Sequence, residues 1–180
     1  FGGDGVKSIM EKFGFPEDHP IENKIISRSL ESAQAKIEGF HFDSSKHTLE
    51  YDNVLNIQRN AVYARRRVML TSPIEDVVQT VMTLVGENEE AKKIIDEKEK
   101  ELGTENFWQS VRRIVLYTTD ILWTEHLQSM DYLRSSVNLR AYGQRDPLIE
   151  YKKEGLRMFK DMEITFLNQT FEMIKGLTGS

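Results

Sequence analysis

The sequence predicts an all-α protein, an elongated helical bundle in which one long helix packs against an antiparallel two-helix hairpin. From residue 21 to residue 177, apolar or small side chains recur at steps of three to five residues, which is the pattern of amphipathic helices. Of the four prolines, only Pro73 and Pro147 lie beyond residue 20, so few breaks interrupt this pattern. The 180 residues suffice for one domain with a core.

The N-terminal segment, residues 1–20, is rich in residues that break helices: Gly2, Gly3, Gly5, Gly14, Pro16 and Pro20. We expect a short helix near residues 6–13 and then a turn-rich connector. Residues 21–70 predict a long helix. Gly39 and the polar run at 42–45 leave open a break near 39–45, because glycine costs about 1 kcal/mol inside a helix and Asp or Ser favours a cap.

A second group of helices follows residue 70. Ser72 is expected to cap a new helix, with Pro73 at its first position. Residues 74–85 are apolar-rich, whereas residues 87–101 are crowded with charge and are expected to face solvent. Residues 71–104 therefore form a connecting element.

Residues 105–177 predict a hairpin. A heptad-like apolar pattern runs from about residue 105, stops at a turn before Asp146 and Pro147, and then resumes. Two helices of about 30 residues joined by a short loop fold back antiparallel, giving a hairpin about 45 Å long. The side chains expected in the hairpin core are Trp123, Met130, Leu133, Phe159, Met162 and Phe166. Residues 178–180 are expected to be a disordered end.

Composition excludes several classes of protein. A net charge of −5 argues against broad nucleic-acid binding, so the basic run 65–67 is interpreted as a solvated helix face. Cysteine is absent, which rules out disulfides and thiolate metal sites and favours a reducing compartment, the cytoplasm. No stretch approaches the about 18 apolar residues of a membrane span. The chain begins at Phe1, and we expect it to be part of a longer polypeptide.

No catalytic site is predicted. A di-iron bundle needs two Glu-x-x-His pairs, and only Glu38 with His41 has that spacing. The four histidines are scattered, and we interpret each as a capping or interface residue. There is no phosphate-binding loop and no Gly-x-Ser-x-Gly elbow. The sequence therefore predicts no metal, no cofactor and no independent enzymatic activity.

The predicted hairpin loop contains one candidate binding residue. Tyr142 lies beyond the ends of both helices and is flanked by Arg140 and Arg145. It either packs on its own hairpin or contacts a partner, since Tyr and Arg are enriched in binding hot spots.

Three segments carry a resemblance to a known family: residues 123–134 (WTEHLQSMDYLR), 137–147 (VNLRAYGQRDP) and 150–154 (EYKKE). They resemble SecA, the family of bacterial preprotein translocase motors. Further blocks at 32–38, 42–59 and 1–4 with 20–22 are similar in the same order, so the resemblance covers most of the chain.

This resemblance implies a role for each region. Residues 1–20 would end the second nucleotide-binding domain, residues 21–70 would be the scaffold helix, and residues 105–177 would be the two-helix finger. The finger tip of the family lies at the SecY channel and contacts the moving preprotein through a tyrosine, to which Tyr142 corresponds. Arg140, Gln144 and Arg145 would contact channel loops or substrate backbone.

The resemblance also implies what the chain lacks. The Walker motifs, the first nucleotide-binding domain and the preprotein cross-linking domain are absent, so ATP and magnesium would be bound by the parent protein, a translocating ATPase. Residues 71–104 would be a wing domain shortened either naturally or by engineering. Asn53 replaces a common Asp. The parent would be cytoplasmic and peripherally associated with the inner face of the plasma membrane.

Two other hypotheses stay open. A free-standing helical adaptor would bind partner helices through the apolar face of residues 21–70, independently of nucleotide and of Tyr142. A metal oxidase bundle would be revived by bound iron or manganese in the purified protein.

Overall fold

The computed structural model of the chain describes residues 20–140, 143 and 145–179, and only the backbone of residues 20–23 and 25. The expected short helix near 6–13 therefore lies outside the described residues. The chain divides into two units, Phe1–Lys46 and His47–Ser180, which are described separately.

Every regular element in the described part of the chain is a helix, which confirms the all-α prediction. The five helices are α1 (Pro20–Thr71), α2 (Ile74–Val85), α3 (Glu89–Leu102), α4 (Thr104–Arg140) and α5 (Pro147–Lys175).

In the first unit, α1 runs through Gly39 and residues 42–45 without the break that the sequence left open. Once a helix has formed, each added residue gains one backbone hydrogen bond, so a single glycine penalty of about 1 kcal/mol does not end it. The Gln34 side chain also donates to Glu38 Oε1 at 3.1 Å across one helical turn. The side chains of Leu30, Ile37, Phe40 and Phe42 are exposed in this unit.

The boundary between α1 and α2 differs from the prediction. Pro73, not Ser72, occupies the cap position of α2, and no side-chain hydrogen bond caps that helix. Ser72 instead directly follows the end of α1, and its N–H donates back to the Val68 carbonyl at 3.0 Å. Asn88 caps α3 by accepting from the Ala91 N–H at 3.1 Å.

The core of the second unit lies where residues 47–71 of α1, α4 and α5 meet, with α2 and α3 at the base of the hairpin. Of the six side chains expected in the hairpin core, Trp123, Met130, Leu133, Met162 and Phe166 are buried, and Phe159 is half-buried. Its ring centroid lies 5.7 Å from that of His126, so it packs at the edge of the core.

Candidate functional site at the hairpin tip and along its support

The helix ends that flank the turn between α4 and α5 form local side-chain hydrogen bonds. Asp146 accepts from the Leu148 N–H at 2.9 Å and caps α5, and Pro147 lies at its first turn, as the sequence predicted. At the end of α4, Arg140 donates to both carboxylate oxygens of Glu154, at 2.8 and 3.4 Å. The Arg140–Glu154 bonds hold α4 and α5 together beside the turn.

The tip presents an exposed arginine to solvent. The Arg145 side chain is 78% exposed and lies 3.7 Å from the Glu150 carboxylate, too far for a strong ion pair at such exposure. Gly143 is also exposed. Tyr142 and Gln144, the other candidate tip residues, lie outside the described residues. A recess of about 290 Å³ is lined here by Val137, Arg140, Gly143, Arg145, Pro147 and Glu150.

Close to the tip, α1 is held to both hairpin helices by aromatic and ionic contacts. The ring centroids of Tyr51 and Tyr151 lie 5.0 Å apart in a tilted arrangement. Arg134 donates to Asp52 Oδ1 at 3.0 Å, and its guanidinium lies 4.9 Å from the centre of the Tyr51 ring. Burial raises the pKa of both tyrosines. They therefore contribute as neutral, aromatic side chains.

Further from the tip, Gln58 joins α1 to both hairpin helices inside the core. Its amide nitrogen donates to the Gly155 carbonyl at 3.1 Å, and its amide oxygen lies 2.7 Å from His126 Nε2. Because an amide oxygen only accepts, His126 Nε2 must carry the proton. Burial lowers the pKa of His126, while the Glu163 carboxylate partly opposes this shift. The ring is thus held neutral, with Nε2 as the donor.

The basic run 65–67 is not uniformly solvated, so that interpretation was wrong for Arg65. Its side chain is only 10% exposed, donates to Glu163 at 2.7 and 3.1 Å, and lies 3.9 Å from the Phe166 ring centre. Arg66 donates to Asp120 of α4 at 2.7 Å, and Arg67 is exposed. Two of the three arginines therefore bind the hairpin.

At the base of the hairpin, Arg112 of α4 caps the C-terminus of α1. Its two terminal nitrogens donate to the Met69 and Ser72 carbonyls, at 2.8 and 2.9 Å. Met69 lies in the last turn of α1 and Ser72 just beyond it, so neither carbonyl has an intrahelical donor, and the guanidinium satisfies both. Lys98 of α3 binds the chain just beyond the end of α5, by donating to the Leu177 carbonyl at 2.7 Å.

The arrangement is a hairpin with charged side chains at its tip and contacts to α1 along its length. Sequence reasoning singled out the tip and missed Asp120, Glu163 and Arg112. No local pattern identifies their partners, which lie 40 to 98 residues away in the chain. The seven-residue spacing of Tyr51, Gln58 and Arg65 could have indicated that these three side chains share one face of α1.

Of the described helices, none combines the length and apolar content needed to cross a membrane. Nor does the described part of the chain bring together three or more His, Asp or Glu side chains that could hold a metal ion.

Comparison with known proteins identifies the family. The model of the SecA Wing and Scaffold domain matches residues 20–88 and 87–177. The protein translocase subunit SecA of Halothermothrix orenii is 35% identical, over 98% of this chain and 27% of its own length. That of Crocosphaera subtropica is 37% identical over 91% and 24%, and that of Symbiobacterium thermophilum 34% over 90% and 25%.

The chain thus spans about a quarter of the length of the curated relatives it matches. The family match covers α1 to α5, including the hairpin and all of the contacts to α1 described above. This chain therefore belongs to the SecA wing and scaffold domain family.

Proposed function

We propose that this chain is the scaffold and two-helix-finger part of a SecA-like translocase, and that it relays ATP-driven movement to a preprotein at the SecY channel. The supporting observation is the series of side-chain contacts from α1 to the hairpin, which extends from Arg134 near the tip to Arg112 at the base. A hairpin held at so many points follows its support instead of bending away from it. A displacement of α1 would then reappear at the tip.

The proposed regions follow the resemblance. Residues 1–20 would end the second nucleotide-binding domain, residues 21–70 would be the scaffold helix, and residues 105–177 would be the finger. The two matched segments of the family meet at residues 87–88, in the turn between α2 and α3. That turn is where a longer wing would enter, which supports a reduced wing at 71–104.

At the tip, Tyr142 would contact the preprotein, while Arg140, Gln144 and Arg145 would contact channel loops or substrate backbone. The exposure of Arg145 supports this assignment, since its only ion pair, with Glu150 at 3.7 Å among the described residues, leaves most guanidinium N–H groups facing solvent, where they can donate to carbonyl or carboxylate oxygens.

The remaining parts of the proposal concern the complete translocase. ATP and magnesium would be bound by its nucleotide-binding domains, because this sequence contains no phosphate-binding loop. This chain would have no enzymatic activity of its own. The partners would be the preprotein, the SecY channel complex and the nucleotide-binding and preprotein cross-linking domains. The translocase would be cytoplasmic, peripherally bound to the inner face of the plasma membrane.

Site-specific cross-linking tests the proposal. A photoreactive amino acid at position 142 of the complete translocase should cross-link to a stalled preprotein in the presence of ATP. The same group at Glu97, an exposed site on α3, should not. Absence of cross-links from position 142 in an otherwise active preparation would contradict the assignment of residues 105–177 as the finger.

A helical adaptor is the alternative function, favoured by the exposed apolar side chains of the first unit. Ile37 is 57% and Phe40 is 73% exposed. If the chain is an adaptor, it should bind partner helices in the absence of nucleotide, and Ile37→Asp with Phe40→Asp should abolish that binding. Binding that survives these changes, or that requires Tyr142, would rule the adaptor out.

A further inference from the structure

Three residues of α1 at seven-residue intervals, Tyr51, Gln58 and Arg65, each contact α5. Their partners Tyr151, Gly155 and Glu163 lie 100, 97 and 98 residues further along the chain. This nearly constant separation means that α1 and α5 run parallel here in a single axial register. We call the three α1 residues the polar column.

A second set of α1 residues at the same interval, Leu55, Val62 and Met69, is apolar and packs in the core. We call these residues the apolar column. A seven-residue repeat keeps the same face of a helix against its neighbour, as in coiled coils. Aliphatic side chains of similar size fit equally well after a slide of one repeat. The apolar column therefore favours contact but does not select one register.

The polar column does select a register, because Gln58 and Arg65 each need a different partner. A slide of one repeat would take Gln58 away from His126, leaving the buried Nε2–H of the histidine without an acceptor. It would also separate the guanidinium of Arg65, whose side chain is 10% exposed, from the Glu163 carboxylate, whichever way α1 moves. Buried polar groups that lose their partners strongly disfavour the shifted packing.

We propose that the polar column fixes the axial register between α1 and the hairpin, so that the two cannot slip past each other under load. Gln58 is the central positioning residue, since it bonds to α4 and α5 at once. The use of this register to move a preprotein rests on the proposed function. The register itself rests only on contacts within this chain, and its test needs neither a channel nor a preprotein.

The test is a distance measurement between spin labels on α1 and α5. The chain has no cysteine, so Asn53→Cys and Lys160→Cys, both at exposed positions, can be labelled without background. In this doubly labelled parent we expect one narrow distance distribution. A variant in which Gln58, His126, Arg65 and Glu163 are all replaced by leucine should stay helical, with an equal or higher Tm. The four leucines should nevertheless add a second population, because a slide of one repeat moves α1 by about 10 Å.

The matched control changes the apolar column instead. Val62→Ala with Met69→Ala should lower the Tm but keep the single distance. A four-leucine variant that folds and retains one narrow distribution would overturn the proposal.

A second variant decides the question if the four-leucine protein loses its helical circular dichroism. Tyr51→Gln, Gln58→Arg and Arg65→Leu together move the polar pattern by one repeat along α1. The label distance should then change as a whole to a single new value. An unchanged distance in this variant would equally overturn the proposal.

Discussion

Arg65 and Glu163 join α1 to α5 through two hydrogen bonds, with the guanidinium of Arg65 lying over the ring of Phe166. The arginine is 10% exposed and the glutamate 29%, so water screens this pair less than it screens the other ion pairs among the described residues. The two-point geometry also orients both side chains. This contact is therefore expected to hold α1 against the hairpin.

Removal of this carboxylate should destabilise the protein. Glu163→Ala leaves a largely buried guanidinium without its anion and should lower the free energy of unfolding by about 2 kcal/mol. Glu172→Ala is the control, because Glu172 is 72% exposed and pairs with Lys175 only one turn away. That loss should stay below about 0.5 kcal/mol. Urea unfolding measures the free energy of unfolding of both variants. Equal decreases in the two would contradict the role given to Arg65.

The buried His126 should make stability depend on pH. Its pKa is lowered in the folded chain, so between that value and the ordinary one of about 6.5 the unfolded chain binds more protons. Stability should be full above pH about 6.5 and should fall as the pH drops through this window. His126→Gln removes the titrating group, so its Tm should decline less between pH 7 and pH 5. If the Tm of the parent and of His126→Gln falls equally between pH 7 and pH 5, His126 is not the group responsible.

Two glycines should respond to alanine in opposite ways. A Cβ at Gly155 would lie 2.8 Å from Met130 Cε, and Met130 is buried on all sides. Gly155→Ala should therefore destabilise the protein by about 1 kcal/mol or more. Nothing lies within 4 Å of a Cβ at Gly39, so Gly39→Ala should instead increase helix stability by up to about 1 kcal/mol. Thermal unfolding shows whether each substitution raises or lowers the Tm. A raised Tm in both variants would mean that the Met130 side chain moves to accommodate the new methyl group at position 155.

The cap that Arg112 places on α1 should protect the end of that helix. Arg112→Ala leaves the Met69 and Ser72 carbonyls without these donors, and amides near residue 70 should exchange their hydrogens faster. Arg113→Ala changes an exposed neighbour and should leave that exchange unaltered. If exchange near residue 70 is the same in both variants, the cap contributes nothing measurable.

Much of the fold could be predicted from sequence, because its signals are local. The 3.6-residue apolar pattern marks each long helix, and Asp146 with Pro147 marks the start of α5 without reference to any other part of the chain. The continuity of α1 through Gly39 could not be decided, because a glycine penalty of about 1 kcal/mol does not by itself determine whether a helix ends.

The support of the hairpin could be predicted far less well. Whether Arg65 faces solvent or Glu163 depends on which helix lies opposite, and nothing near residue 65 in sequence specifies that. The pairing of Gln58 with His126 spans 68 residues and is equally invisible to local patterns. The role of Tyr142 stays a prediction.

Covalent joining of α1 to α5 tests most directly whether the two move as one body. Arg65→Cys and Glu163→Cys, bridged by a short bismaleimide, would lock the helices together in a complete translocase that otherwise lacks cysteine. We predict that ATP-driven preprotein transport by the bridged protein matches that of the same variant before bridging. Transport that stops on bridging, while ATP hydrolysis continues, would show that the hairpin must move relative to α1 and would contradict the account.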